Sequence, residues 1–165
     1  MLITKKLWEN NSDLASLSLK TKFVQGIRNG NLPRNIFKEY LAQDYFFLES
    51  FAKAYGLAVS KSKDKSEIKS LSQLLVGVSD ELILHETYAK EWEIDLSTNY
   101  IRPATKNYTD FLYDVSSKLS SVEIMFAMTP CMRLYSWIGK NLSDMISNNP
   151  YSCLLYTSPS PRDPH

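Results

Sequence analysis

The chain has 165 residues, 44% of them hydrophobic, and its 19 Lys+Arg against 18 Asp+Glu leave a formal net charge of +1. That length suits one well-cored domain. The balanced charge leaves no electrostatic footprint for nucleic acid or an anionic membrane surface.

No window approaches the roughly 18 consecutive apolar residues of a membrane span. The opening "MLITKKLWENNSDL" turns charged and polar at once, without the apolar core of a signal peptide. Two cysteines, Cys131 and Cys153, are too few for a disulfide framework. The simplest reading is a reduced, cytoplasmic protein.

Helical periodicity runs through the chain and no strand pattern competes with it. The spacing predicts helices near 3–29, broken around Lys20–Thr21, and then near 33–60, 65–92, 104–119 and 121–146. "RNGNLP" is a turn signal after the first, and Pro33 suits the first turn of the next, where its missing N–H is not needed. That second helix carries an apolar stripe of Phe37, Leu41, Leu48, Phe51 and Tyr55, and the slot that completes it is filled by Asp44. A lone buried carboxylate costs several kcal/mol unless it is paired or hydrogen-bonded. Asp44 is therefore either a structural aspartate tied to a tyrosine or a backbone amide, or part of a site.

The mixed-sign run "KSKDKSEIK" reads as a solvated helix end, with Asp64 or Ser66 able to cap the third helix. Its stripe is Leu71, Leu75, Val78, Leu82, His85, Ala89 and Trp92, with Glu81 one turn before His85. Glu and His four apart can share a metal, but a metal needs three or four ligands. A core histidine satisfied by Glu81 or by another helix is the plainer account. The connection "EIDLSTNYIRPAT" is the longest; the others are short, so neighbouring helices are expected to run antiparallel.

Tyr108 heads the stripe of the fourth helix through Leu112 and Val115. Ser120 and Glu123 have capping-box spacing for the fifth, whose stripe is Ile124, Met128, Cys131, Tyr135, Ile138 and Leu142. Pro130 removes an N–H and crowds the carbonyl of Phe126, so a bend is expected beside the Cys131 thiol. A buried cysteine can be no more than a small hydrophobe. Asp44, His85, Tyr108 and Cys131, however, place a polar or thiol group inward on four helices, the pattern of a polar pocket along a bundle axis.

The runs "FVQGIRNGNLPRNIFKEYLAQDYFFLESFAKAYGLA", "DELILHETYAKEW", "KNYTDFLY" and "MTPCMRLYSWIGKNL" together resemble the TenA family, thiaminase II or aminopyrimidine aminohydrolase, over roughly residues 5 to 148. The most specific parts are Gln43–Phe47 and the Pro130–Tyr135 run. The resemblance implies an all-α, heme-oxygenase-like helical bundle without haem or other cofactor, usually a homotetramer. It also implies hydrolytic removal of the amine from 4-amino-5-aminomethyl-2-methylpyrimidine in thiamin salvage, with thiamin itself cleaved to the same hydroxymethyl pyrimidine. Cys131 matches the branch with a cysteine at the motif. Carried across, Cys131 is the nucleophile that adds to the pyrimidine ring. Asp44 accepts from the ring amino group, and Tyr108 and Tyr135 hold ring edge or thiol by their hydroxyls. Phe47 stands where the family often has a tyrosine, so one hydroxyl contact is missing. His85 and Glu81 are kept structural, and no metal is implied.

The last residues differ in kind. The family continues for about another third of its length, its final helix bearing a glutamate that handles proton transfer at the leaving amine. "SNNPYSCLLYTSPSPRDPH" does not match those helices, and "CLLYTSPSPRD" looks like translated transposase-type adapter DNA. The expected organisation is a partial helical domain over 1–152 and a non-native, disordered tail over 153–165, with activity impaired for want of that glutamate. Two other readings remain: a metal-dependent oxidase on the same bundle, using Glu81, His85 and Asp44, and a non-catalytic pyrimidine-binding or regulatory protein.

Overall fold

The computed structural model describes residues 3–94, 96, 100–142 and 149–151, and these are all-α, without a strand among them. The helices are α1 (Ile3–Asn10), α2 (Ser12–Leu19), α3 (Lys22–Arg28), α4 (Arg34–Lys61), α5 (Lys65–Glu91), α6 (Pro103–Lys118) and α7 (Ser121–Leu142). The chain divides into two compact units, Met1–Pro33 with Arg133–His165, and Arg34–Met132. Helix α7 belongs to the second unit up to Met132 and to the first from Arg133 on.

In the first unit the expected break at Lys20–Thr21 is present, with Thr21 accepting from the Val24 N–H as the α3 cap. A second break, not anticipated, falls at Asn11. There the Asn11 side chain donates to the Leu7 carbonyl and Ser12 to that of Glu9, which ends α1 by offering its last turn side-chain partners. Helix α3 ends in a Schellman motif: Asn31 N donates to Gly26 O at 3.0 Å and Gly30 N to Ile27 O at 3.1 Å. Gly30 supplies the left-handed φ of 68° this requires. The returning strand of chain lays Leu32 on Gly26, where a Cβ would lie 3.0 Å from a Leu32 methyl and 3.2 Å from its Cα. On α7, Trp137 meets the Trp8 ring edge-on at 5.9 Å, and the Arg133 guanidinium covers Trp8 at 4.7 Å while donating to the Thr4 carbonyl.

The second unit is built on α4, which packs against both α5 and α6. Every position of the predicted α4 stripe is buried, Phe37, Leu41, Asp44, Leu48, Phe51 and Tyr55 alike. Leu48, Phe51 and Tyr55 join Leu71 and Val78 of α5, Leu112 of α6 and Ile124 and Met128 of α7 in one core. Each such aliphatic or aromatic side chain contributes roughly 1.5–3 kcal/mol by leaving water. Helix ends are closed as the sequence signalled. Asp64 accepts from the N–H groups of Ser66 and Glu67, and Ser120 and Glu123 exchange bonds across the first turn of α7. Lys61 donates to the carbonyls of Ser116, Ser117 and Leu119, satisfying the end of α6.

Helix α7 continues through Pro130 as one helix to Leu142. The four further residues expected in it, 143–146, and the tail 153–165 lie outside the described residues. Among the described residues no helix is long and apolar enough to cross a membrane.

Candidate functional site

The polar groups predicted to point inward on α4, α5, α6 and α7 lie within the second unit and act on one another. Asp44 is 8% exposed and His85 2%. His85 Nε2 lies 2.8 Å from Asp44 Oδ2, and its Nδ1 lies 3.0 Å from the main-chain carbonyl of Glu81, one turn back on α5. A carbonyl only accepts, so Nδ1 carries a proton. The other nitrogen and Asp44 Oδ2 then share a single proton across a 2.8 Å contact. Burial works to lower the His85 pKa, but the bond to Asp44, its charge, and the carbonyl and carboxylate of Glu81 outweigh it, and the pKa is raised above the ordinary 6.5.

The Gln43–Asp44 pair divides its work between two faces of α4. Gln43 faces outward and clamps the α5–α6 connection, donating to the Tyr100 carbonyl and accepting from the Arg102 N–H, each at 2.8 Å. Glu39 pairs with the Arg102 side chain beside it. Asp44 is thereby held on a helix whose outer face is tied to the α5–α6 connection.

Glu81 is the third acid–base group. Burial first, and the Asp44 charge second, push its carboxyl up to about 7, against the opposing pull of His85. Cys131 is half-buried on α7 and reduced. Its thiol is pushed up to about 12, by burial and then by the negative charges of Asp44 and Glu81. The Tyr108 phenol is pushed up to about 12 by burial and by Cys131, and that of Tyr55 higher still for the same two reasons. Tyr108 donates to the Ala127 carbonyl, one turn before Cys131, and its ring is stacked on Phe47 at 5.6 Å with 15° between planes. Phe47 in turn packs on Phe51 at 4.3 Å. The arrangement offers flat apolar faces, a protonated thiol and a carboxylate–imidazole pair.

Asp44, Phe47, Tyr108 and Cys131 thus share one unit. Tyr135, the other residue singled out, lies on the part of α7 belonging to the first unit and is 40% exposed, where the stripe predicts a buried face. A phenol, apolar in its ring and polar at its tip, tolerates that position better than a Leu would. Glu81 and Tyr55 went unrecognised as partners of the thiol. Both sat in plain view on their stripes, Glu81 one turn before His85 and Tyr55 three turns after Asp44. Both nitrogens of His85 are engaged, and among the described residues no three His, Cys, Asp or Glu side chains are arranged to hold a metal ion.

An all-α unit that brings a half-buried thiol, two carboxylates, a buried imidazole and stacked aromatics together from four helices is a helical bundle with a polar interior. The family model described as TENA/THI-4/PQQC matches residues 18–156, and the chain belongs to that family. It is 30% identical over 169 residues to the bifunctional TH2 protein, mitochondrial, of Arabidopsis thaliana, covering 88% of this chain and 27% of that protein. It is also 30% identical over 149 residues to the aminopyrimidine aminohydrolase of Helicobacter pylori, covering 88% of this chain and 69% of the relative. The solved structure of a TenA homologue from Pyrococcus furiosus superposes with a TM-score of 0.88 at 21% identity, over 97% of this chain and 77% of that one. The chain therefore spans about a quarter of the plant relative's length and about 70% of the bacterial one's.

Proposed function

We propose that the protein is a hydrolase of thiamin salvage, an aminopyrimidine aminohydrolase that converts 4-amino-5-aminomethyl-2-methylpyrimidine and water to the hydroxymethyl pyrimidine and ammonia, and that also cleaves thiamin. The observation that carries the reading is that Cys131 packs on the same core as the Phe47–Tyr108 stack and feels the charge of Asp44, which is paired with His85. The name of the Helicobacter pylori relative supports it.

In this reading the Cys131 sulfur bonds to a ring carbon as a neighbouring carboxylate takes its proton. The electron pair moves through the ring and expels the aminomethyl nitrogen, which takes the proton from that carboxylate and leaves as ammonia. Water adds to the exocyclic methylene so formed and gives up a proton to the same carboxylate. The C–S bond then breaks, the ring regains its aromaticity and that proton passes to sulfur. Thiamin follows the same course with its thiazole as leaving group. Asp44 accepts from the ring amino group, while Phe47 and Tyr108 supply the faces that hold the heterocycle. Tyr135 enters by the family resemblance alone.

The proposal includes a cytoplasmic homotetramer without cofactor, acting on neither nucleic acid nor membrane. The net charge of +1 supports the last point, and the mitochondrial plant relative marks the alternative compartment. It assigns residues 1–152 to the domain and 153–165 to an appended segment without a part in the chemistry.

The test is product formation with enzyme in excess of substrate, so that a single turnover in hours is read. Mass spectrometry detects the hydroxymethyl product. Cys131→Ser is expected to lower the rate by at least about 10²-fold and Asp44→Asn by about 10²–10³-fold. A Cys131→Ser protein as active as the wild type would leave the nucleophile reading without support.

A further inference from the structure

The family resemblance leaves His85 a structural residue, but its two bonds give it more to do. Both of its nitrogens are fixed, Nδ1 by the Glu81 carbonyl at 3.0 Å and Nε2 by Asp44 Oδ2 at 2.8 Å. The first bond dictates the tautomer, and the second occupies one of the two carboxylate oxygens of Asp44. Asp44 Oδ1 is then the oxygen left to accept from a ligand. The ring is locked in place, since it is 2% exposed and anchored at both ends.

We propose that His85 is a positioning residue for substrate recognition: it holds Asp44 through Oδ2 so that Oδ1 meets the exocyclic amino group of a 4-aminopyrimidine, and the proton shared between Nε2 and Oδ2 makes that recognition depend on pH. The inference rests on the aminopyrimidine reading above. The group that shares its proton is faced by Glu81 from its own helix and by Asp44 from α4; Cys131 of α7 interacts electrostatically with those two carboxylates in turn, and the phenols of Tyr108 (α6) and Tyr55 (α4) with the thiol. Glu81 and Asp44 both favour the imidazolium, and the two hydrogen bonds order the ring before a ligand arrives. A hydrogen-bond acceptor for an amino group works best when its own orientation is fixed in advance, because no reorganisation is then needed on binding.

Two measurements test this on the full chain. The sequence has two histidines, His85 and His165, so ¹⁵N-histidine NMR reads the ring directly once His85→Gln has identified its signals. The Nδ1–H tautomer is expected throughout, with a titration midpoint above that of a free histidine that falls by a unit or more in Asp44→Asn. A midpoint indifferent to Asp44→Asn overturns the shared proton. Calorimetric binding of 4-amino-5-hydroxymethyl-2-methylpyrimidine, the reaction product, then reads the role. His85→Leu is expected to bind at least about tenfold more weakly. His85→Gln, which keeps an N–H for Asp44, stays within about threefold of wild type but loses the wild-type inflection of affinity against pH. If both variants bind as wild type with its pH profile, His85 is structural and the inference fails while the aminopyrimidine reading stands. If the wild type does not bind the pyrimidine at all, that reading fails and takes the inference with it.

Discussion

The Cys131 thiol should be almost wholly protonated in the resting protein, and its alkylation kinetics measure by how much. With the thiol pushed up to about 12 from an ordinary 9.0, at pH 8 about one molecule in 10⁴ carries a thiolate, against about one in ten for an ordinary cysteine, a deficit of about 10³. Steric hindrance also slows alkylation, so the decisive quantity is the shape of the pH profile and not the absolute rate. Iodoacetamide labelling would be followed by intact mass in a Cys153→Ser background, which leaves Cys131 as the single thiol. Log rate should climb with unit slope from pH 7 to beyond pH 10, a rise of about tenfold per pH unit with no plateau. Replacing Asp44 by Asn or Glu81 by Gln removes a negative charge that holds the proton on sulfur, and each should speed labelling at a fixed pH. A plateau near pH 8–9, or a profile that neither substitution moves, would refute the claim that burial and two carboxylates control this thiol.

Glu81 gives the protein a pH-dependent stability of unusual sign for a carboxylate. Its folded-state pKa of about 7 exceeds the ordinary 4.5, so the native state binds more protons than the unfolded chain between those values, and stability falls as pH rises through that window. The loss is at most about 3 kcal/mol, and urea unfolding of Glu81→Gln should show most of it gone. The raised His85 adds a decline of the same sign above 6.5, which Glu81→Gln leaves in part. At the end of α5, Glu93 occupies the left-handed position of a Schellman motif with φ 55°, bonded through Ile94 N to Ala89 O at 2.8 Å. Glu93→Gly should therefore raise the free energy of unfolding by about 1 kcal/mol, and a loss of stability would contradict the cap assignment. Gly26→Ala should cost about 1–3 kcal/mol, because one of the contacts at 3.2 Å is the Leu32 backbone and cannot simply swing away.

Much of this was legible in the sequence because helical periodicity and burial agree at every position of the α4 stripe and at Ile124, Met128 and Leu142 of α7, though not at Tyr135. The α4 stripe placed Asp44 among five apolar residues, and all six are buried. The oddity of a carboxylate there was readable, but its partner was not. A tyrosine or a backbone amide was the expected tether, whereas the bond goes to His85, 41 residues away on α5. Spacing along one helix fixes which face a residue occupies; it does not fix the axial register of two helices against each other, which decides whether two inward groups meet. The break at Asn11 escaped for a different reason. Its apolar pattern continues across the gap, and only competition from the Asn11 and Ser12 side chains for the preceding carbonyls ends the helix. The clamp by Gln43 on Tyr100 and Arg102 was invisible too, since a glutamine on a helix flank looks the same whether or not a distant loop folds back onto it.

The protonated thiol and the buried acid pair are easier to understand together than apart. A free thiolate beside Asp44 and Glu81 would put three negative charges in one helical core, against burial and mutual repulsion, and the raised values of Cys131 and Glu81 express that penalty on two of the three. The arrangement therefore holds acid–base capacity at Cys131 and Glu81 with less charge than three ionised groups would place there. A thiol that stays protonated until a base can take its proton does not alkylate or oxidise idly, because both reactions need the thiolate. In the proposed reaction Glu81, pushed up to about 7, is a carboxylate able to receive that proton. Removing its charge should then separate two quantities that usually move together: Glu81→Gln makes Cys131 more reactive toward iodoacetamide yet less effective toward the pyrimidine. A parallel rise in both would mean that Glu81 merely represses the thiol, and that the proton leaves sulfur by another route.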